Sequence, residues 1–157
     1  MDNMSMHVGA NCVLNKVTLA AGSTTDLIKI SANAEYAIDG IVYSKTADSA
    51  GFAWSQYSTF ETHAQKTSRL YGLIVDKSGN IKQIQGKAIV TNDEANMNAL
   101  QIPTVPDGYA LLGLVRVSLS STDTGGFVAD TTALTTSGTR TVAFYDTMVP
   151  PSKPIVF

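Results

Sequence analysis

Tyr-Ala-Leu-Leu-Gly-Leu-Val-Arg-Val-Ser-Leu-Ser, residues 109–120, decides the fold class. Val115, Val117 and Leu119 alternate with Arg116, Ser118 and Ser120. A period of two sends apolar and polar side chains to opposite faces of a strand, whereas a helix would spread them around its circumference. The Pro106-Asp107-Gly108 turn leads straight into this stretch. The reading is therefore a β-strand with one dry face and one wet face.

The same grammar extends outward in both directions. Leu70–Val75 is a dense apolar strand, Asp76–Asn80 a turn, and Ile81–Val90 the returning partner, with Gly86 placed for a bulge. Asp39-Gly40 sits between two β-favouring runs, the signal of a two-residue hairpin over Glu35–Lys45, with one strand running through Gly40 as the alternative. Residues 12–19 and 26–31 read as strands, 127–128 as a short edge and 139–146 as the last strand, with Val142 and Phe144 on one side. Residues 46–68 have no clean period. They read as a long loop anchored by Trp54, Tyr57 and Phe60, with a short helix over Thr59–Thr67 as the alternative. The expected fold is all-β: an antiparallel β-sandwich or jelly-roll-like domain of about eight short strands. It spans residues 12–147, between an N-terminal arm over 1–11 and a Pro-rich tail over 148–157 with extended backbone.

Composition narrows the function classes. With 157 residues and 44% hydrophobic content, the chain is long enough for one domain with its own core. Its net charge of −2, with Lys and Arg scattered singly, favours neither a nucleic-acid backbone nor an anionic membrane. No apolar run reaches the length of a membrane span, and the first residues lack the basic start and apolar run of a signal peptide. Cys12 is the only cysteine, so no intrachain disulfide forms.

Catalytic chemistry finds little footing. The two histidines are His7, in the arm, and His63, which reads as a solvated loop residue. No nucleophile elbow and no Gly-rich phosphate loop occurs. Asp76, Ser78 and Asn80 match positions one, three and five of a calcium loop. Ile81 and Lys87 then stand where a Gly and a bidentate Glu are needed, so a plain turn is the better reading. The expectation is a non-enzymatic protein without cofactor or metal. Partner contacts fall to Trp54, Tyr57 and Phe60, a possible sugar-stacking group, to Met4, Met6 and Val8 of the arm, and to Pro150, Pro154, Ile155 and Phe157 of the tail.

Three blocks in order carry a family resemblance: Tyr36-Ala-Ile-Asp-Gly-Ile-Val-Tyr43, then Leu70-Tyr-Gly-Leu-Ile-Val-Asp-Lys-Ser-Gly-Asn-Ile81 with Gln85-Gly86, then Ile102-Pro-Thr-Val-Pro-Asp-Gly-Tyr-Ala-Leu-Leu-Gly-Leu-Val115. Together they resemble small virion proteins of tailed bacteriophages, of the head decoration, cement or head-fibre type, over roughly residues 12–147. The resemblance implies a structural protein, made in the host cytoplasm, that sits on the capsid surface. It would bind the major capsid protein and other copies of itself as a homotrimer, and it brings no catalytic residues. The alternative is a fibre or tail component that recognises a host-surface glycan through residues 46–68.

Overall fold

The computed structural model describes residues 11–23, 28–90, 100–123, 127, 134 and 140–147. Eleven strands are present among them and no helix: β1 (Cys12–Val13), β2 (Leu19–Ala21), β3 (Ile28–Ile30), β4 (Ala34–Ile38), β5 (Ile41–Lys45), β6 (Asp48–Phe52), β7 (Thr67–Val75), β8 (Ile81–Gln85), β9 (Ile89–Val90), β10 (Ala110–Leu119) and β11 (Arg140–Asp146). They form three antiparallel sheets, ordered β1-β4-β5, β2-β3-β6 and β11-β10-β7-β8, with β9 also paired to β7. One core holds side chains from all three sheets, among them Tyr36 and Ile38, Ile28 and Ile30, and Leu73, Val115 and Val117. The large sheet is thus one layer and the two small sheets face it, which makes the domain all-β and sandwich-like.

The two central strands explain their own sequences. β7 is buried from Ser68 to Val75 because it has neighbours on both edges and cover on both faces. On β10, Val115, Val117 and Leu119 enter the main core as their alternation requires. Ala110 and Leu112 enter the same core although they have the opposite parity. The pairing with β7 resolves this. It steps from Leu111↔Ile74 to Gly113↔Leu73, so Leu112 is an extra residue and the bulge inverts the alternation. The face that carries Arg116 and Ser118 is not wet. Leu70 and Leu114 are buried there beneath Leu100, and the Ser68 hydroxyl donates to Ser118 at 2.6 Å. A second apolar cluster covers the face that alternation alone assigns to solvent.

Gly113 stands at the bulge for a steric reason. A Cβ at this position would lie 2.3 Å from Leu19 Cδ1 and 2.6 Å from the Tyr145 carbonyl oxygen. The leucine can turn, but the oxygen belongs to β11 backbone paired to β10. Gly113→Ala is expected to destabilise the domain by about 2 kcal/mol, an overpacking cost. Adding Leu19→Ala should not restore stability, since the carbonyl contact remains; thermal unfolding of the single and double variants checks this.

Strand boundaries differ from the sequence reading in three places. The stretch 12–19 divides into β1 and β2, which join different sheets. Thr18 takes φ 54° between them, and the Asn15 side chain ties the intervening segment to Asn33 and Glu35. The stretch 81–90 divides into β8 and β9. Between Ser68 and Tyr71 the partner strand advances from Gln85 to Ile89, one residue too many, so the bulge expected near Gly86 is present. β6 lies in a segment read as loop; its Asp-Ser-Ala-Gly-Phe composition carries no β signal, and pairing with β3 imposes the strand. The Asp39-Gly40 hairpin forms as expected, with φ of 51° and 77° at its two loop residues.

Candidate functional site

The aromatic group expected to meet a partner is largely internal. Residues 55–57 run along the outer edge of β8: Gln83 N–H donates to Ser55 O and Tyr57 N–H to Gln83 O, both at 2.9 Å. The Gln83 side-chain oxygen accepts from Ser55 N–H, and the Gln85 side chain bonds Glu61 N–H and O. This path turns Trp54 inward and Tyr57 outward. Trp54 is 4% exposed and packs edge-on against Tyr71, Phe127 and Phe60, with ring centroids 5.3, 5.9 and 6.5 Å away. Phe60 is half-buried against the same core. Only Tyr57 is exposed, at 44%, and it meets Tyr109 edge-to-face at 5.4 Å. Trp54 and Phe60 are therefore core anchors instead of contact residues, because the apolar face of the large sheet needs their rings. Tyr109, which the sequence reading did not single out, partners Tyr57.

His63 is fully buried, in contrast to the solvated residue expected. Its backbone forms a two-way bridge with Phe127, and its ring lies among Tyr71 and Phe127. Nε2 lies 3.0 Å from Thr67 O, which can only accept, so Nε2 carries the proton. Nδ1 is left to accept from the Tyr71 hydroxyl at 3.4 Å. Burial drives the His63 pKa down to about 4, aided by the Arg69 and Arg140 charges and opposed by the Thr67 carbonyl and Asp123. Burial also pushes Tyr71 up to about 12. Both side chains are neutral at physiological pH, so the pair holds structure together without moving protons.

Charged groups nearby are committed to packing. Arg69, 4% exposed, donates to Glu61 O at 3.1 Å and reaches its carboxylate at 3.4 Å. Arg140 pairs with buried Asp123 at 2.9 Å and lies 5.3 Å over the Phe127 ring. An open groove of about 490 Å³ is lined by Lys45, Asp48, Phe52, Ser55, the turn at Asp76–Asn80, Ile81 and Lys82. Its carboxylates are spoken for. Asp48 accepts from Gly51 N–H, while Asp76 accepts from Ser78 N–H, Asn80 N–H and the Asn80 amide. Asp76 is thus the hinge of a hairpin turn, as read from the sequence. Among the described residues no group of three or more His, Cys, Asp or Glu side chains is placed to hold a metal, and no helix is long and apolar enough to cross a membrane.

Six large apolar side chains are exposed among the described residues. Ile41 and Val42, adjacent on the edge strand β5, are 57% and 62% exposed, and Leu14 beside β1 is 47% exposed. The pairings Cys12↔Ala37 and Ala37↔Val42 put Val42 on the outward face of the β1-β4-β5 sheet, a face that Leu14, opposite Glu35, shares, whereas Ile41 pairs with buried Ile38 and points to the other face. Met4, Met6 and Val8 of the arm and Pro150, Pro154, Ile155 and Phe157 of the tail lie outside the described residues.

Comparison with known protein families, with characterised proteins and with solved structures finds no match to this chain.

Proposed function

We propose that the protein is a structural component of a tailed-bacteriophage head, a decoration or cement protein that binds the capsid shell as a homotrimer. One observation carries the reading. A sandwich whose Trp54, Phe60 and His63 rings are used internally leaves Val42 of the edge strand β5 and Leu14 beside β1 exposed on the same outward face of the β1-β4-β5 sheet. Apolar surface of this kind marks a place for another protein. Ligation to the assembled shell but not to its free subunits would stabilise the shell by mass action. The glycan-binding alternative draws less support, because Trp54 is buried and Tyr57 and Tyr109 meet edge-on instead of forming a flat platform.

Quantitative mass spectrometry of purified phage particles tests the proposal. The chain should be present at a copy number comparable with the major capsid protein. A copy number of a few per particle would move it to the tail, and its absence from particles would end the reading. Tyr57→Ala should leave shell binding unchanged; loss of cell attachment in that variant would favour the glycan alternative.

A further inference from the structure

Asp-Gly occurs twice in the chain, at Asp39-Gly40 and at Asp107-Gly108, and Asn-Gly does not occur. An aspartate followed by glycine can react with its own main chain. The glycine nitrogen attacks the side-chain carbonyl carbon, Cγ, and the absence of a Cβ leaves the approach open. A succinimide ring forms, and the carboxyl oxygen leaves as water. Water then opens the ring at either of its carbonyls. One opening restores aspartate. The other gives isoaspartate, in which the main chain runs through the former side chain and is longer by one carbon. A dehydration followed by a hydration needs no oxidant, cofactor or enzyme. The rate depends on whether the turn is free to bring the nitrogen onto Cγ.

The fold withholds that freedom from the first pair. Asp39 and Gly40 are the loop of the β4-β5 hairpin, with Ile38 and Ile41 paired directly behind them. Asp39 N–H donates to the Asn11 side-chain oxygen at 3.0 Å, and the Asp39 carboxylate meets Lys77 Nζ at 2.8 Å. Lys77 lies in the turn between β7 and β8, so the aspartate is held by its own hairpin and by a second one. Swinging Cγ onto Gly40 N would break the ion pair and twist the loop that sets the strand register.

The second pair has none of these restraints. Asp107 is exposed, and among the described residues its carboxylate has neither an ion pair nor a hydrogen bond. The turn at Pro106–Tyr109 is open, because no backbone bond closes it among the described residues. The Asp76–Asn80 turn, by contrast, is closed by Gly79 N–H to Asp76 O at 3.0 Å and Asp76 N–H to Asn80 O at 3.1 Å. Gly108 takes φ 79°, and a Cβ built on it would meet no atom beyond its chain neighbours within 4 Å. Only the downstream side is anchored, where Ala110 pairs with Val75. An unheld carboxyl, an unbonded glycine N–H and open space around them are what ring closure requires.

We propose that Asp107 is a site of spontaneous isomerisation to isoaspartate in the folded protein, and that the fold protects Asp39 from the same reaction. The added carbon enters the turn that launches β10, beside Tyr109, and would shift that ring against Tyr57. The reaction is a property of the chain alone, so it stands whether or not the protein is found on a phage head.

Ageing the purified full chain at physiological temperature and mildly acidic pH tests the proposal. Peptide mapping with electron-transfer fragmentation tells isoaspartate from aspartate at each position. Methylation by an isoaspartate-specific carboxyl methyltransferase, with labelled S-adenosylmethionine, counts the product independently. In the folded protein, isoaspartate at 107 should exceed that at 39 by about ten-fold or more, a ratio equivalent to about 1.4 kcal/mol of restraint on the hairpin loop. In denaturant, which frees both turns, the two positions should react at nearly equal rates. Asp107→Glu should lose the product, because the longer side chain would have to close a larger ring. Asp107→Asn should form it faster, with ammonia leaving in place of water. Absence of isoaspartate at 107, equal amounts at 107 and 39 in the folded chain, or a preference for 107 that persists in denaturant would each overturn the proposal.

Discussion

Trp54→Ala is expected to lower stability by about 3–5 kcal/mol, the range for removing a large buried ring. Trp54 touches Tyr71, Phe127 and Phe60, and those rings belong to β7, to the segment bridged to His63 and to the loop that seals β8. Truncation opens a cavity among rings that are fixed by strand pairing, so the site cannot collapse to fill it. In a domain of this length the midpoint of thermal unfolding should fall by roughly 10 °C. Trp54→Phe should behave quite differently. The buried indole N–H has no hydrogen-bond partner among the described residues, and an unmet buried donor costs about 1–3 kcal/mol. Phenylalanine removes that donor and keeps most of the ring contact, so the net loss should stay below about 1 kcal/mol. Equal losses in the two variants would mean that the indole nitrogen contributes to stability.

Stability should also have an acid limb set by His63. In the unfolded chain this histidine titrates near its ordinary value of 6.5, and in the folded protein near 4. Between those values the unfolded chain binds a proton that the folded chain refuses, so stability rises with pH across the window. The contribution is complete above pH 6.5, is lost as pH falls toward 4, and changes no further below that. The size is about 3 kcal/mol, since one unit corresponds to about 1.4 kcal/mol. His63→Gln retains an amide donor for Thr67 O and cannot take up the proton. Denaturant unfolding from pH 7 to 4 should show the slope in the parent protein and lose it in this variant. A slope that persists in His63→Gln would assign the acid limb to carboxylates.

The legibility of this molecule depends on which residues are asked. Leu70–Val75, the Asp76–Asn80 turn, the Asp39-Gly40 hairpin and the Val115–Leu119 alternation were all readable, because strand period and turn chemistry act over a few neighbouring residues. β6 was not readable: its polar, Gly-containing sequence becomes a strand through bonds to β3, more than fifteen residues upstream. The candidate contact residues divided for a related reason. The order Trp54, Tyr57, Phe60 shows three rings in a loop. Which ring points inward depends on the path of that loop along β8, and nothing local encodes that path. Ile41 and Val42 looked like ordinary strand residues, since exposure on an edge is a property of sheet order.

By itself the sequence determined that the chain folds as antiparallel ribbons joined by tight turns, because side-chain alternation and the Asp-Gly and Pro-Asp-Gly pairs impose that over short distances. Tertiary structure decided the rest: that a bulge at Leu112 reverses the faces of β10, that His63 is buried and neutral, and that β5 stands at the end of its sheet among the described strands while residues 55–57 line the outer edge of β8. These outcomes depend on which segments, distant in sequence, compete for the same face or edge, and only the packed chain settles that competition.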